Sequence, residues 1–280
     1  MSDRATLLTK TAKVLKKHYK PVSPPSNRSV LEHLLYACCL ESSNHEPSDD
    51  AFARLQETYF DWNEVRVTTV AELADVMAGL NDAENAARTL KKTLQGVFEA
   101  HYSYDIDFLK KGNLGKAVKD IESLNGVSRF AVSYVAQNAL SGHSIPANKG
   151  VFGLFIVLGA ITEAEAAKKR IPGLERAIPK SKGVEFGSLL HQLAVDFMSS
   201  PFSSRVRSII LEIEPRAKER LPKRAPKQSP KKKTAKSKTA KPKQAAKKKT
   251  SATSAKKSAT QKKDAAKKSA TKRLAKKKPR

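Results

Sequence analysis

The sequence has few cysteines and no long apolar run. Two of its 280 residues are cysteines, Cys38 and Cys39, which are adjacent in an apolar segment. A disulfide framework or a four-thiolate metal site needs more thiols, so we expect two buried, reduced cysteines and no metal. No apolar run reaches the ~18 residues that a membrane-spanning helix needs, and residues 1–19 do not resemble a signal peptide. We therefore expect an intracellular protein that does not bind membranes.

Acidic residues are almost absent from one end of the chain. Of 54 Lys and Arg and 27 Asp and Glu, residues 222–280 hold 25 basic residues and one acid, Asp264, for a net charge of +24. Residues 1–221 hold 29 basic and 26 acidic residues, for a net charge of +3. The sequence thus predicts two parts, a body of ordinary charge (1–221) and a polycationic tail (222–280).

The tail is composed mainly of Lys, Ala, Ser, Thr and Pro, with no aromatic residue and one leucine, Leu274. Such a composition buries too little apolar surface to offset the entropy of ordering, so we expect the tail to be disordered in solution. Its composition resembles that of a linker-histone C-terminal tail. A dense run of positive charge neutralises nucleic-acid phosphates without reading sequence, and RNA is an alternative partner to DNA on this ground alone.

The body lacks the alternation of apolar and polar residues that is typical of strands, so we predict an all-α fold. Residues 28–41 carry apolar side chains at helical spacing, and patterns typical of capping boxes begin at Thr69, Asn81 and Thr162. Further helical patterns cover residues 2–19, 48–60, 82–102, 114–123, 128–140, 150–159, 163–171, 184–199 and 203–213. A body of this length can bury one or two packed cores.

The segment 113–160 is the most informative part of the body. A helix is predicted to end at Leu124, a turn with Gly126 follows, and a second helix begins immediately afterwards. Glycine permits a tight turn, and the start of the second helix offers unpaired backbone N–H groups to an anion. We therefore predict a helix-hairpin-helix at about 114–140 that holds a DNA phosphate without reading bases. A plain helical corner is the alternative interpretation.

The predicted DNA-binding residues follow from this hairpin. They are Leu124, Asn125, Gly126, Val127, Ser128 and Arg129 in and after the turn, with the nearby cations Lys116, Lys119 and Lys149.

The strings LNGVSRFA at 124–131 and IPANKGVFGL at 145–154 resemble the helix-hairpin-helix DNA glycosylases of the endonuclease III superfamily. In that family the corresponding strings read like LPGVGRKTA and VDTHIFRV. The resemblance extends over about residues 29–213. It implies two helical lobes, one made by the chain ends and one a six-helix barrel from the middle of the chain. It also implies that DNA binds in the cleft between the lobes.

The resemblance places both catalytic positions of the family on residues without the required chemistry. The lysine that attacks the sugar in bifunctional members falls on Phe130, and the family's aspartate falls on Asn148. An amide neither accepts a proton usefully nor stabilises a cationic sugar. No Asp or Glu lies between Phe130 and Gly159, and the nearest acids along the chain are Glu122 and Glu163. We therefore expect binding without glycosylase or lyase chemistry.

Two other family features are also altered. Many members bind a [4Fe–4S] cluster through four cysteines near the end of the fold, but residues 181–221 contain none, so we expect no such cofactor. The residue that some members insert into the duplex falls near Ser43, whose side chain is short for that role.

These observations favour a DNA-binding protein without sequence specificity on an endonuclease III-like scaffold, associated with DNA in the nucleoid or nucleus. Two alternatives stay open. One is a divergent base-excision-repair glycosylase or abasic-site lyase that uses an unrecognised acid. The other is a histone-like protein that compacts the chromosome. The sequence leaves open the oligomeric state and the preferred DNA structure.

Overall fold

The structure is a computed structural model that describes residues 4–223, and within that range every regular element is a helix. This confirms the all-α prediction. The α-helices are α1 (Arg4–His18), α2 (Val30–Leu40), α3 (His45–Thr58), α4 (Trp62–Val67), α5 (Val70–Val76), α6 (Ala83–His101), α7 (Leu114–Ser123), α8 (Arg129–Asn138), α9 (Lys149–Leu158), α10 (Glu163–Ala167), α11 (Leu174–Ala177), α12 (Lys180–Ser199) and α13 (Ser204–Ile213). Two 3₁₀ helices span Asp107–Lys111 and Pro215–Glu219.

The helices pack around two hydrophobic cores. The core of lobe 1 is formed by buried residues between Val30 and Val135, which lie on α2 to α8 and on the segments that join these helices. The core of lobe 2 combines buried residues of α1 with those between Ile145 and Leu221. The chain ends therefore build one lobe and the middle of the chain builds the other, as the resemblance implied.

Local side chains mark several helix starts. Complete capping boxes, in which the cap side chain and the third helical residue bond each other's backbone N–H, join Ser29 to Glu32, Thr69 to Glu72 and Thr162 to Glu165. The boxes at Thr69 and Thr162 were predicted, and the one at Ser29 opens α2. Each satisfies backbone donors that have no partner inside the helix.

The capping box predicted at Asn81 is wrong. Asp82 caps α6 instead, by accepting a hydrogen bond of 3.3 Å from the backbone N–H of Asn85. The amide of Asn81 donates to the carbonyl of Ser42 at 2.9 Å. Its side chain therefore contacts the segment after α2, which the local sequence does not reveal.

Other boundaries differ by a few residues. The pattern at 163–171 predicted one helix, but α10 ends at Ala167, and Lys169 has a φ of 51°. The helix predicted at 184–199 begins at Lys180, directly after Pro179, because proline readily precedes a helix but does not continue one.

The described residues end just beyond the predicted domain boundary. Leu221 is buried in the lobe 2 core, and Arg207 donates to the carbonyl of Pro222 at 2.6 Å. The disorder predicted for 222–280 falls, apart from Pro222 and Lys223, outside the described residues. Among the helices of residues 4–223, none is long and apolar enough to cross a membrane.

Candidate functional site

The predicted hairpin is formed by α7, a short turn and α8. Leu124 is buried at the end of α7, and Gly126 adopts a φ of 87°, in the left-handed region that favours glycine. Ser128 caps α8, and its side chain accepts a hydrogen bond of 3.1 Å from the N–H of Ala131. The helix-hairpin-helix geometry predicted from the sequence is therefore present.

The turn lies directly against α6. A Cβ atom added to Gly126 would be 2.5 Å from the Cβ of Lys92, and one added to Gly96 would be 2.6 Å from the carbonyl oxygen of Asn125. Neither approach leaves space for a side chain. The absence of a side chain at Gly96 of α6 therefore allows the turn to approach this helix closely. The sequence showed no sign of this role, because Gly96 lies in the middle of a helix about thirty residues before the turn.

A cavity of about 780 Å³ opens between the lobes, where α8 and α9 begin. It is lined by Glu41, Ser128, Arg129, Phe130, Ser133, Ser144, Ile145, Ala147, Asn148, Lys149, Phe152, Ala166, Lys169, Arg170, Ile171, Pro172, Gly173, Leu174 and Glu175. This volume is in the range of ligand-binding sites.

The structure brings together some of the residues singled out from the sequence. Ser128, Arg129, Phe130, Asn148 and Lys149 all line the cavity. The remaining turn residues, 124–127, are not part of the cavity lining, and among them Asn125 and Gly126 contact α6. The two lysines of α7, at 116 and 119, are exposed and lie outside the cavity lining.

Positive charge dominates the cavity wall. The first residues of α8 and α9, Arg129 and Lys149, are exposed cations, and Lys169 and Arg170 add two more from the segment after α10. Two carboxyl groups, those of Glu41 and Glu175, also line the cavity. A concave surface with an excess of one charge concentrates the potential, so this wall attracts anions.

Asn148, which the sequence resemblance assigned to the family aspartate, connects the two lobes. Its Oδ1 accepts a hydrogen bond of 3.0 Å from the N–H of Val151 and thereby caps α9. Its Nδ2 donates to the backbone carbonyl of Glu41, at the end of α2, at 2.7 Å. Because an ionised aspartate has no donor, the amide suits this buried contact.

Phe130, which the sequence resemblance assigned to the family lysine, is a core residue. Its side chain is 3 % exposed, and the ring centroid lies 6.2 Å from that of Tyr134 and 5.5 Å from that of His191. An ammonium group at this position would be surrounded by aromatic rings, and burying a charge without a partner is costly.

Glu41 is a carboxyl group in the cleft that the sequence analysis missed. It follows α2 directly, is half-buried and lines the cavity together with Phe130 and Asn148. Burial raises the pKa of Glu41, while a hydrogen bond with the Ser128 side chain and the positive charge of Lys169 act in the opposite direction. The signal in the sequence was its place as the first charge after the apolar run of α2.

Beneath the cavity, a buried histidine joins the lobes. His191 of α12 donates through Nε2 to the carbonyl of Ser43 at 2.8 Å, and its ring centroid lies 5.6 Å from that of His45. Burial lowers the pKa of both histidines to about 4. Ser43 is 1 % exposed, and its Oγ accepts from the N–H of Asn81, so its side chain is used inside the fold.

Both cysteines lie in the core of lobe 1. They are free thiols, and burial raises the pKa of Cys38 to about 12. Among residues 4–223, the structure contains no group of three or more His, Cys, Asp and Glu side chains arranged to hold a metal ion.

The arrangement described so far is that of a two-lobed helix-hairpin-helix fold with an interlobe cleft. The chain matches no protein-family model and no curated protein sequence. Among solved structures it is similar to a trapped covalent intermediate of endonuclease III with DNA, in an estranged-adenine complex. That similarity has a TM-score of 0.52 and 17 % identity, over 79 % of this chain and 100 % of that one.

A non-covalent endonuclease III–DNA complex is similar to the same extent. The TM-score is 0.51 and the identity 18 %, over 79 % of this chain and 99 % of that one. Identities this low establish the fold alone. They confirm the endonuclease III-like fold that the sequence predicted.

Proposed function

We propose that the body binds double-stranded DNA through the hairpin and the cationic cleft beside it, without sequence specificity. The observation that supports this most strongly is the common origin of α8 and α9 at one concave, positively charged surface, with Arg129 and Lys149 as their first residues. The start of a helix carries unpaired N–H groups and a positive dipole end, which favour a phosphate. Contacts of this kind fix the duplex without reading its bases.

The tail strengthens the same interaction. Its net charge of +24 lies on a stretch with one acid, whereas the body has a net charge of +3. Each phosphate neutralised by Lys or Arg releases condensed counterions, so the tail adds affinity for any duplex sequence. We infer a location with the cell's DNA, and RNA bound through the tail is the alternative partner.

The proposed function does not include a catalytic role for Phe130 or Asn148. The ring of Phe130 is packed between Tyr134 and His191, and the amide of Asn148 is used in hydrogen bonds to the backbone of Glu41 and of Val151. Neither residue offers a nucleophile or a base to a bound nucleotide.

The test is the affinity of the body for a duplex after two cations of the cleft are neutralised. The fragment 1–226 is suitable, because it forms one compact unit and keeps the contacts of Leu221 and Pro222. Arg129→Gln with Lys149→Gln is expected to weaken binding and to reduce the slope of log affinity against log salt by about 2, since each lost phosphate contact removes about 1.

The matched control is Lys10→Gln with Lys13→Gln, which removes the same charge from exposed positions on α1 outside the cavity lining. Equal losses in the two double variants would contradict the proposed interface and would indicate attraction by net charge alone.

A histone-like, compacting role is the competing function for the whole chain. In that case the tail does most of the work, and a peptide of residues 222–280 compacts long DNA as well as the full chain does. If compaction needs the body and is reduced by the Arg129 and Lys149 substitutions, the role of the cleft is supported.

A further inference from the structure

A second, smaller cavity opens on lobe 1, where α2, α3 and α4 meet, and we call it the lobe 1 pocket. Its volume is about 190 Å³, which has room for a group of a few heavy atoms but is too small for a nucleotide. Buried Leu55 and Val65 are among the lining residues, and Tyr59, Phe60 and Trp62 add three aromatic rings. None of these residues lines the interlobe cavity, so the lobe 1 pocket is a separate site.

The three aromatic residues are held to different degrees. Trp62 begins α4, and its ring centroid lies 5.9 Å from that of buried Phe52. Tyr59 follows α3 directly and is partly buried. Phe60 is 96 % exposed, although its backbone N–H donates to the carboxylate of Glu64 at 2.8 Å. The backbone at the rim is therefore fixed, while the exposed ring of Phe60 can turn over a ligand.

The carboxylates of the lobe 1 pocket are held by hydrogen bonds. Asp61 caps α4, and its Oδ1 accepts from the N–H of Glu64 at 2.8 Å. Glu32 belongs to the capping box of α2, and its Oε1 accepts from Nε2 of Gln56 at 3.1 Å. No Lys, Arg or His is among the residues that line this pocket. The lining thus carries two negative charges at fixed positions and no cation to neutralise them.

The surroundings of the lobe 1 pocket are negative as well. Residues 41–84, which contain α3 to α5, hold 11 Asp and Glu and two Arg, for a net charge of −9. Burial raises the pKa of Tyr59, a hydrogen bond with Thr68 lowers it, and the charges of Glu72 and Glu64 raise it again. The potential here is therefore opposite in sign to that of the interlobe cavity, and it attracts cations.

The combination of aromatic rings and carboxylates selects a kind of cation. A cation over an aromatic face is attracted by the ring quadrupole, and the attraction is strongest when the cation has lost its water. A bare ammonium is strongly hydrated, whereas alkyl groups on the nitrogen weaken hydration and provide apolar surface for the rings. Among residues 4–223, no group of side chains is arranged to hold a metal ion. An alkylated ammonium therefore fits this lining better than a metal ion does.

We propose that the lobe 1 pocket binds an alkylated ammonium group, of the kind that choline and a methylated lysine side chain carry. Trp62 and Tyr59 supply the aromatic faces, Asp61 and Glu32 supply the negative charge, and Phe60 covers the bound group. This binding is independent of the proposed DNA binding, because no residue of the interlobe cavity takes part.

The fluorescence of the full chain reports directly on this pocket, because Trp62 is its single tryptophan. The first probes are choline and 3,3-dimethylbutan-1-ol, a neutral molecule of the same shape with carbon in place of the nitrogen. The second are the pentapeptide Ala-Ala-Lys-Ala-Ala with its lysine trimethylated and the same peptide unmodified. We expect a saturable change with choline or with the trimethylated peptide, and none with the alcohol at the same concentrations.

The two cationic probes distinguish the sources of the ammonium group. Tighter binding of the trimethylated peptide than of choline assigns the site to a modified protein, and the reverse order assigns it to a small molecule. If neither cation saturates the signal, or if the alcohol or the unmodified peptide binds as tightly as the cation of the same shape or sequence, the proposal is wrong.

Two variants locate the binding without disturbing the core. Phe60→Leu removes an exposed ring and is expected to weaken binding about tenfold. Asp61→Asn keeps the cap on α4 but removes its charge, and an effect of about threefold is expected. Phe108→Leu and Asp82→Asn are the matched controls, because Phe108 is exposed and Asp82 caps α6 outside the pocket.

Calorimetry on the same proteins measures the affinities independently of the fluorescence. Wild-type affinity in both pocket variants, or losses in the two controls equal to those in the pocket variants, would show that the cation binds elsewhere and would overturn the assignment.

Discussion

At the scale of single residues, the cleft depends on hydrogen bonds in which the donor and the acceptor cannot exchange roles. The amide of Asn148 accepts from α9 and donates to α2, so it satisfies a helix start and joins two lobes at once. The sequence places Asn148 just before a predicted helix, but it does not reveal the donor role, because the acceptor belongs to a segment about a hundred residues earlier. For the same reason, the sequence did not indicate that Glu41 lies next to Phe130 and Asn148 in the cavity wall.

Replacing Asn148 by Asp is expected to destabilise the fold. The cap on α9 is kept, but a carboxylate would face the carbonyl of Glu41, and a buried acceptor left without its donor costs ~1–3 kcal/mol. Asn113→Asp is the control, since Asn113 caps α7 from an exposed position, accepting from the N–H of Lys116. Urea unfolding at neutral pH measures both. Equal free energies of unfolding for the two variants would contradict the assigned role of Asn148.

Replacing Gly126 by Ala is expected to displace the hairpin turn. The left-handed backbone costs ~1–2 kcal/mol for a residue with a Cβ. Contact with Lys92 and Thr93 adds overpacking of ~1–3 kcal/mol. Gly173→Ala is a close control, because Gly173 has a φ of 81° but no atom within 4 Å of an added Cβ. Thermal unfolding should rank Gly126→Ala clearly below Gly173→Ala, and the reverse order would contradict the packing of the turn on α6.

At the scale of elements, the parts that the sequence predicted are those specified locally. Capping boxes at Thr69 and Thr162 and the glycine turn of the hairpin involve residues a few positions apart, and all three are present. The approach of α6 to the turn through Gly96 depends on tertiary packing. A glycine in the middle of a helix gives no sign of the element that it contacts. The sequence therefore predicted the role of Gly126 in the turn but not that of Gly96 in α6.

The packing of α12 against the segment between α2 and α3 predicts a pH-dependent stability. His191 and His45 have pKa values near 4 in the folded protein, below the usual value of 6.5, because burial disfavours their charged form. Between pH 6.5 and about 4 the unfolded chain binds more protons than the folded one, so the free energy of unfolding decreases as the pH falls through this range.

His191→Gln is expected to reduce that decrease, since glutamine can donate to the carbonyl of Ser43 but does not titrate. Urea unfolding from pH 7.5 to 4.5 measures the difference between the variant and the wild type. The comparison at pH 7.5, where the histidine is neutral, is the internal control. Parallel profiles over the whole range would show that His191 does not contribute.

At the scale of the whole molecule, charge and geometry are divided between two parts of the chain. The net charge of +27 comes almost entirely from residues 222–280, so the duplex binding that we propose for the body depends on the shape and local charge of its cleft. Composition alone sufficed to predict this division. The interlobe cavity could not be predicted from composition or from motifs, because residues from four separate segments of the chain line it.

The division predicts two different salt dependences. For the full chain, engagement of ~10 phosphates gives a slope of log affinity against log salt near −9. The fragment 1–226, with few net charges, should give a much shallower slope on the same duplex. Fluorescence anisotropy at several salt concentrations measures both. A slope for the full chain no steeper than about −2, or equal slopes for the two proteins, would reject the role of the tail.

The return of the chain to lobe 2 has a consequence for folding. The hydroxyl of Tyr19, just after α1, donates to Asp196, and Lys17 pairs with Glu212, so α1 finds its partners more than 170 residues later. The residues that form the lobe 1 core end at Leu140, whereas the residues that cover the apolar face of α1 begin at Ile145, so during synthesis lobe 1 can form before α1 is covered. Contacts of such long sequence separation slow folding. α1 is thus buried only after its partners in α12 and α13 have been made, and until then its apolar face stays exposed to non-native contacts.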